Sequence, residues 1–425
     1  MMLLNSEKII NFIEYDLPNG LHIILHKDIT NPLLLLNIFY HVGSKNEMLG
    51  YNGFAHFFEH LIFEGSKNIK KREYVKFIHS NGGIINASTS YDLTHYYDIV
   101  PSNCLKLIFW IESDKMINSQ INKKSMDIQL KVIEEEKKQI LYSNSYSKIF
   151  LEKIPNLLFK KHPYKFPILG SIKDLRSLGE EDYKNFYNTF YVPENATLIL
   201  SGNFSIKNTK KLIEDYFSFI PKGKKIIIRP NVKEDPIKKE IFYLYKDKNI
   251  KVPALFIAYR IPNKKKRVFH ILKLIKNILV NGESSYLIKN IINKKKLSTY
   301  IECFFEDLED YGIFCIFSIL SPKGNLDKLT EAIDKEMEKL KNDKINKNEI
   351  KKNINILKKN FFIKNSSMYG ICTSLGKNHI FYKNTNYINS YIKEYNDISP
   401  EEVKNVLNKY LNKNQRVRLY DIPNN

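Results

Sequence analysis

Sliding the chain against itself by 220 residues lays Leu178, Glu181, Lys184, Asn185, Asn188 and Phe190 onto Ile398, Glu401, Lys404, Asn405, Asn408 and Tyr410 without a gap. Lys, Asn and Glu are abundant in this chain, so the identities alone weigh modestly. The match gains weight because each copy reads as a helix followed by a strand, and each closes its half of the chain. A duplication narrows the choice of fold to two similar domains, each with its own core, which a chain of 425 residues has the length to build. The stretch from Ile220 to Pro236, with Pro221, Gly223, Pro230 and Pro236 around a Lys-rich middle, has linker character. The expected division is 1–222, a linker over 223–236, and a second domain over 237–425.

Leu21 to Leu25 and Leu33 to Val42 are short apolar runs bounded by Asn19-Gly20, Asn31-Pro32 and Gly43-Ser44, the pattern of two strands. His22 and His26 alternate with Ile and Leu in the first of them and are expected to face solvent. Helical periodicity predicts helices from near Asn52, over Arg72 to Ser80, Leu105 to Met116, Ser125 to Tyr142 and Leu178 to Tyr191. A strand is expected over Ala196 to Leu200. Between Gly82 and Tyr97, small and β-branched polar residues alternate with Tyr, which reads as a strand with one exposed face. Such an edge is equally an ordinary polar strand or a template on which an extended peptide adds by β-augmentation.

The chemistry concentrates in Gly53-Phe54-Ala55-His56-Phe57-Phe58-Glu59-His60-Leu61-Ile62-Phe63. On a helix, His56 and His60 lie one turn apart on the same face, with Glu59 beside them. Zinc takes neutral imidazole nitrogens at about 2.0–2.1 Å and, in catalytic sites, three protein ligands with a fourth position open to water. His-x-x-Glu-His is the inverted form of the zinc-protease helix, and an adjacent carboxylate suits the general base of hydrolysis. The competing reading is a pair of core histidines, but the apolar flanks hold no Ser, Thr or Asn to satisfy their nitrogens. A third ligand comes from the helix over Ser125 to Tyr142, where Met126, Leu130, Ile133 and Ile140 form one apolar stripe. Glu135 falls opposite the stripe and Glu134 to its side, whereas Glu136 lies within it. A carboxylate on a buried face is costly unless a cation or metal pairs with it, so Glu136 completes the set. Glu134 and Glu135 read as a surface acidic run neutralised by Lys137 and Lys138. The counterpart helix in the second half, Ile271 to Val280, is Leu, Ile and Lys and carries no such motif.

The formal charge of +21 raises nucleic acid or an anionic membrane as a partner. The excess is mostly Lys spread along the whole chain with abundant Asn and Ile, not a Lys/Arg cluster on one face, so neither partner is expected. Cys104, Cys303, Cys315 and Cys372 fall at no metal-type spacing, which points to free thiols in a reducing compartment. Met1 to Glu7 lacks both a basic start and a signal-like apolar run, and no stretch reaches the roughly 18 apolar residues of a membrane span. A cytoplasmic protein is expected.

Taken together, these residues resemble the pitrilysin/insulysin family of inverted zinc peptidases, and within it the short, mitochondrial processing peptidase-like members. The resemblance covers nearly the whole chain. It runs through Gly43-Ser44, Gly53 to His60 with Glu64-Gly65, Asn86-Ala87 with Thr89, Thr94 and Tyr96, Val132 to Glu136, His162-Pro163-Tyr164 and Tyr191-Val192-Pro193-Glu194-Asn195. It implies an α+β fold of two tandem similar domains, each a mainly antiparallel sheet packed against helices. It also implies one zinc ion per chain held by His56, His60 and Glu136, with Glu59 as general base and Asn86 and Ala87 holding the substrate backbone. In short members, two chains close on each other into a chamber of four domains. Two departures stand out. Seven before Glu136 the family often has a second Glu, and here Gln129 stands. In the second domain, active members carry a substrate-binding Arg and, seven residues later, a Tyr; Tyr300 matches the Tyr, but the Arg position is Asn293. The expected function is a zinc endopeptidase acting on peptides or unstructured segments. Asn293 favours a hetero-dimer over a homo-dimer, with a partner chain supplying the Arg. The alternative is a catalytically weak or non-catalytic structural subunit of such a heterodimer.

Overall fold

The computed structural model describes residues 10–48, 50–119, 122–143, 145–322, 324–343 and 345–424. Met1 to Glu7, on which the absence of a leader was read, lie outside the described residues. The short apolar runs of the first half form strands β1 (Ile13–Asp16), β2 (His22–Lys27), β3 (Leu33–Tyr40), β4 (Ile84–Thr89), β5 (Thr94–Pro101) and β6 (Ala196–Gly202). They pair in the order β1-β2-β6-β3-β5-β4, antiparallel throughout except for β2 beside β6. The second half supplies β7 (Ile241–Asp247), β8 (Ala254–Pro262), β9 (Ser298–Asp307), β10 (Tyr311–Leu320) and β11 (Arg416–Pro423) in the order β7-β11-β8-β10-β9, again with one parallel pair, β7 beside β11. Matching β7, β8, β9, β10 and β11 to β2, β3, β4, β5 and β6 makes the two orders identical; the first sheet only adds β1 at its edge. The α+β duplication is thus present in the pairing itself.

The helices that matter below are α1 (Phe54–Leu61), α2 (Glu73–Ser80), α3 (Leu105–Asn118), α4 (Lys123–Ser143), α5 (Glu180–Phe190), α6 (Arg267–Val280), α7 (Met368–Tyr382) and α8 (Pro400–Tyr410). A shift of 220 residues carries the bounds of α5 onto those of α8, and each is followed by the strand that closes its sheet. Residues 223–236 hold neither helix nor strand.

The compact units do not follow chain order. One comprises Met1–Lys137, Phe166–Asn231 and Ile363–Tyr391; the other comprises Lys138–Lys165, Val232–Phe362 and Ile392–Asn425. This departs from a division at 223–236, for a physical reason in each exchanged segment. α7 packs on β3 and β6, and Gly376 lets it approach closely, since a Cβ there would stand 2.7 Å from the Phe39 ring. Conversely, Phe150 packs against Phe304, Phe256 and Phe317 at ring distances of 4.1, 5.0 and 5.4 Å. Each segment joins the core that buries its apolar face.

Two further expectations change. The polar stretch from Gly82 to Tyr97 is a hairpin of two strands, β4 and β5, because Ser90 turns the chain by bonding Leu93 through both its backbone and its hydroxyl. β4 remains an edge, with residues alternately half-buried and exposed. His26 does not face solvent: it is buried and lies 2.8 Å from the Ser201 hydroxyl, and His22 stacks on His379 of α7. A helix covers the sheet face that the alternation of β2 assigned to water.

Candidate metal centre

α1 presents two stripes. Phe54, Phe57, Phe58 and Leu61, spaced i, i+3, i+4, i+7, are at most 2 % exposed and face the core. Phe54 stacks on Tyr183 of α5 at 4.5 Å and Phe58 on Phe186 at 5.3 Å. Each such side chain contributes about 1.5–3 kcal/mol by burial, so the rotation of the helix about its axis is fixed by its apolar side. The opposite stripe is His56, Glu59 and His60. His56 and His60 meet edge to face with ring centroids 4.8 Å apart.

Glu136 of α4 closes the group. Its Oε1 lies 3.7 Å from His56 Nε2 and its Oε2 lies 3.2 Å from His60 Nε2. One ligand-type atom from each of the three residues lies within 4.8 Å of the others. The approach to Oε2 is close without being a hydrogen bond, so this buried oxygen has no hydrogen-bond partner, and neither has His56 Nδ1. His56 and His60 hold the Glu136 carboxyl well below the usual carboxylate range, against the opposing effect of burial. Burial alone would lower His60, but Glu136, with Glu59 and Gln129 behind it, raises the ring above its ordinary value. Two imidazoles and a carboxylate with an orphaned oxygen form the donor set that zinc accepts, and the residues fit a divalent cation. Glu134 and Glu135 do not join them. Glu134 pairs with Arg176 at 2.7 Å rather than with a neighbouring lysine, Glu135 is exposed, and Lys137 donates to the Gly170 carbonyl at 2.6 Å.

Glu59 is half-buried at the end of the same turn, close enough to Tyr96 and Tyr191 that its charge, after burial and other neighbours, adds to the upward shift of both phenols. Gln129, one of the departures noted above, stands close enough to His60 to help raise its ring and donates from Nε2 to Glu64 Oε1 at 2.5 Å. A carboxamide therefore stands where a carboxylate would orient the ring through its charge.

Sequence reasoning passed over what sets the start of α1. The buried Glu47 carboxylate accepts the N–H groups of Gly53 at 2.8 Å and Ala55 at 2.9 Å, filling the role of an N-cap from six residues away. Burial pushes its carboxyl up to about 8 in spite of those bonds. The signal was present as Ser44-Lys45-Asn46-Glu47, an S-x-x-E pattern, although the helix it serves is the next one. Gly53, at φ 101°, and Gly170, at φ 64°, touch back to back: a Cβ on Gly170 would lie 2.2 Å from Gly53 Cα and 2.3 Å from the Asn52 carbonyl oxygen. Because Lys137 also grips the Gly170 carbonyl, one loop braces both the start of α1 and the turn of α4 that carries Glu136.

Asn86 and Ala87 lie on edge strand β4, which packs against α1, and the Asn86 side-chain oxygen accepts the Ala87 N–H at 2.8 Å. Tyr300 lies in the other compact unit on β9, the edge strand corresponding to β4. It is 45 % exposed, and its hydroxyl donates to Glu302, which together with partial burial pushes the phenol up to about 12. Asn293 of that unit donates to Glu283 Oε2 at 3.1 Å.

The fold is that of a two-domain α+β protein with a candidate centre for a divalent cation, and comparison with known proteins places it more closely. Residues 22–171 match the family described as insulinase (peptidase family M16), and residues 177–357 match the domain described as the peptidase M16 inactive domain. The chain belongs to peptidase family M16, the pitrilysin/insulysin family of zinc peptidases. It is 24 % identical over 409 residues to the zinc protease PqqE of Helicobacter pylori, covering 95 % of this chain and 91 % of that one. It is 27 % identical over 207 residues to the mitochondrial-processing peptidase subunit beta of Saccharomyces cerevisiae, 49 % of this chain and 44 % of the other. A crystal structure of a protease from Helicobacter pylori superposes with a TM-score of 0.91 at 22 % identity, covering 98 % of this chain and all of that one, a likeness of fold. Among the described residues no helix is long and apolar enough to cross a membrane.

Proposed function

We propose that the chain is a zinc endopeptidase in which His56, His60 and Glu136 hold one zinc ion and Glu59 is the general base. The observation that carries the reading is the convergence of the three ligand-type atoms within 4.8 Å, with Glu136 Oε2 buried and unpartnered among them. Bound there, zinc would supply a Lewis acid for the scissile carbonyl and lower the pKa of a water molecule. Glu59, on the same helix turn, takes the proton from that water and delivers it to the leaving amine. The edge strand β4 receives the substrate as an added strand, main chain to main chain, with the peptide displacing the Asn86 carboxamide from the Ala87 N–H. This mode selects extended peptides and unstructured segments over folded proteins.

Asn293 is a short side chain tethered to Glu283, which supports a paralogous partner chain that supplies the Arg and acts on substrate together with Tyr300. Full peptidase activity from a purified homodimer, unchanged by any partner, would sink that part. The four cysteines are free and buried, which supports a reducing, cytoplasmic location; cell fractionation tests it. The central test compares bound zinc and cleavage of a mixed peptide library for the wild type and Glu59→Gln. The mutant is expected to keep the metal and lose cleavage. If both proteins cleave equally, Glu59 is not the base.

A further inference from the structure

A second convergence of ligands lies in the same compact unit, on the sheet face covered by α7. Asp16 pairs with His22 across β1 and β2, and Glu14, two residues earlier on β1, emerges on the same face. His22 Nδ1 is 2.7 Å from Asp16 Oδ1, and His22 Nε2 is 3.3 Å from Glu14 Oε2. His379, in the last turn of α7, lies over the His22 ring with centroids 3.5 Å apart and planes within 9°. Thr385 donates its hydroxyl to Glu14 Oε2 and holds that carboxylate in place. One ligand-type atom each from Glu14, His22 and His379 lies within 4.8 Å of the others.

A carboxylate oxygen faces each ring nitrogen of His22. A neutral imidazole has one N–H and one lone pair. If the short contact to Asp16 takes the N–H, Nε2 turns its lone pair toward a carboxylate oxygen, and two acceptors face each other at 3.3 Å. A cation between them resolves the conflict. Donors about 2.0–2.1 Å from a tetrahedral zinc ion stand roughly 3.3–3.5 Å apart, the separation already present between His22 Nε2 and Glu14 Oε2. Asp16 on the far nitrogen then plays the part of the carboxylate that orients a metal-bound histidine.

We propose that Glu14, His22 and His379 form a second site for a divalent cation of the zinc type, oriented by Asp16 and separate from the centre on α1. Imidazole and carboxylate donors suit Zn2+ over Ca2+ or Mg2+. The stacked rings tilt apart to bring both lone pairs onto one ion, a movement open to the half-exposed His379. The ion fastens edge strand β1 to a helix from the far end of the sequence, so its role is to tie down the rim of the first sheet.

The site is tested by zinc stoichiometry on the full chain after chelation and equilibrium dialysis, a measurement that needs no peptidase activity. Wild type is expected to retain two equivalents and the His60→Ala/Glu136→Gln double variant one. Adding His22→Asn or Glu14→Gln to the double variant is expected to remove the remaining equivalent, and circular dichroism checks that each variant is folded. The proposal is overturned if the double variant binds no zinc, as it would if His22 is a protonated imidazolium bridging the two acids. It is also overturned if its zinc is indifferent to both added substitutions. A wild type holding one equivalent that survives in the double variant but not with His22→Asn would instead refute the centre on α1 and leave this one standing.

Discussion

Gly170→Ala puts the bracing of the metal centre to a quantitative test. The position has φ 64°, which costs a residue with a Cβ about 1 kcal/mol. The new methyl carbon would meet Gly53 Cα at 2.2 Å, the Asn52 carbonyl oxygen at 2.3 Å and Gly53 N at 2.4 Å. All three are backbone atoms that cannot rotate away, so the loop itself must move, at the roughly 1–3 kcal/mol typical of overpacking. Moving it also loosens the Ser171 N–H bond to Asn52, 3.1 Å in length, worth about 1 kcal/mol. The expected loss is therefore about 3–5 kcal/mol in urea denaturation of the metal-free protein. Gly82→Ala is the control: its φ is 72° but no atom lies within 4 Å of the added Cβ, so it should lose only about 1 kcal/mol. Because Gly170 abuts the start of α1 and receives Lys137 beside Glu136, Gly170→Ala should also weaken zinc binding by roughly 10–100-fold in a chelator competition, as disturbing a ligand's supports does. Gly82→Ala should leave it alone. If Gly170→Ala matches Gly82→Ala in stability and wild type in zinc affinity, the loop does not brace the site and the reasoning fails.

Lys45 and Asp92 form an ion pair 3.0 Å long with both side chains at most 4 % exposed. Asp92→Asn removes one partner of a buried ion pair and should cost about 3–5 kcal/mol in chemical denaturation. His95 is buried against Phe39, and burial, reinforced by Lys377, lowers its ring to about 4. A lowered histidine stabilises the fold fully above its unfolded value near 6.5 and loses that contribution as pH falls through 4. Wild type should therefore shed on the order of 3 kcal/mol across that window, and His95→Gln should flatten the slope of stability against pH there. Phe54→Ala removes the ring stacked on Tyr183 and should cost about 3–5 kcal/mol, with zinc affinity falling alongside, because that ring sets the rotation of α1.

Much of the site was legible because its parts are local. The stripes of α1 follow from a 3.6-residue period, so Phe54, Phe57, Phe58 and Leu61 turning inward forces His56, Glu59 and His60 to the other side. Glu136 stood out because a carboxylate interrupted an apolar stripe on α4. The supports were harder to see. Glu47 reaches past its own turn to cap the next helix, and Gly170 meets Gly53 across more than a hundred residues. His22 and His26 depart from the alternation of β2 for a related reason. Alternation along a strand shows that its two faces differ, but it does not say whether water or a distant helix covers the second face.

Periodicity and the repeat at 220 residues pointed to most of the elements, the duplication and the three candidate ligand residues, because each depends on neighbours within a few turns or on the copying of a whole segment. The tertiary structure decided that α7, from the far end of the sequence, seals the first sheet and that residues 138–165 join the other core. It also decided that Glu47 and Gly170 aim the metal helix. Apolar faces are buried by whichever surface fits them, irrespective of distance along the chain, and a one-dimensional pattern carries no record of which surface that is.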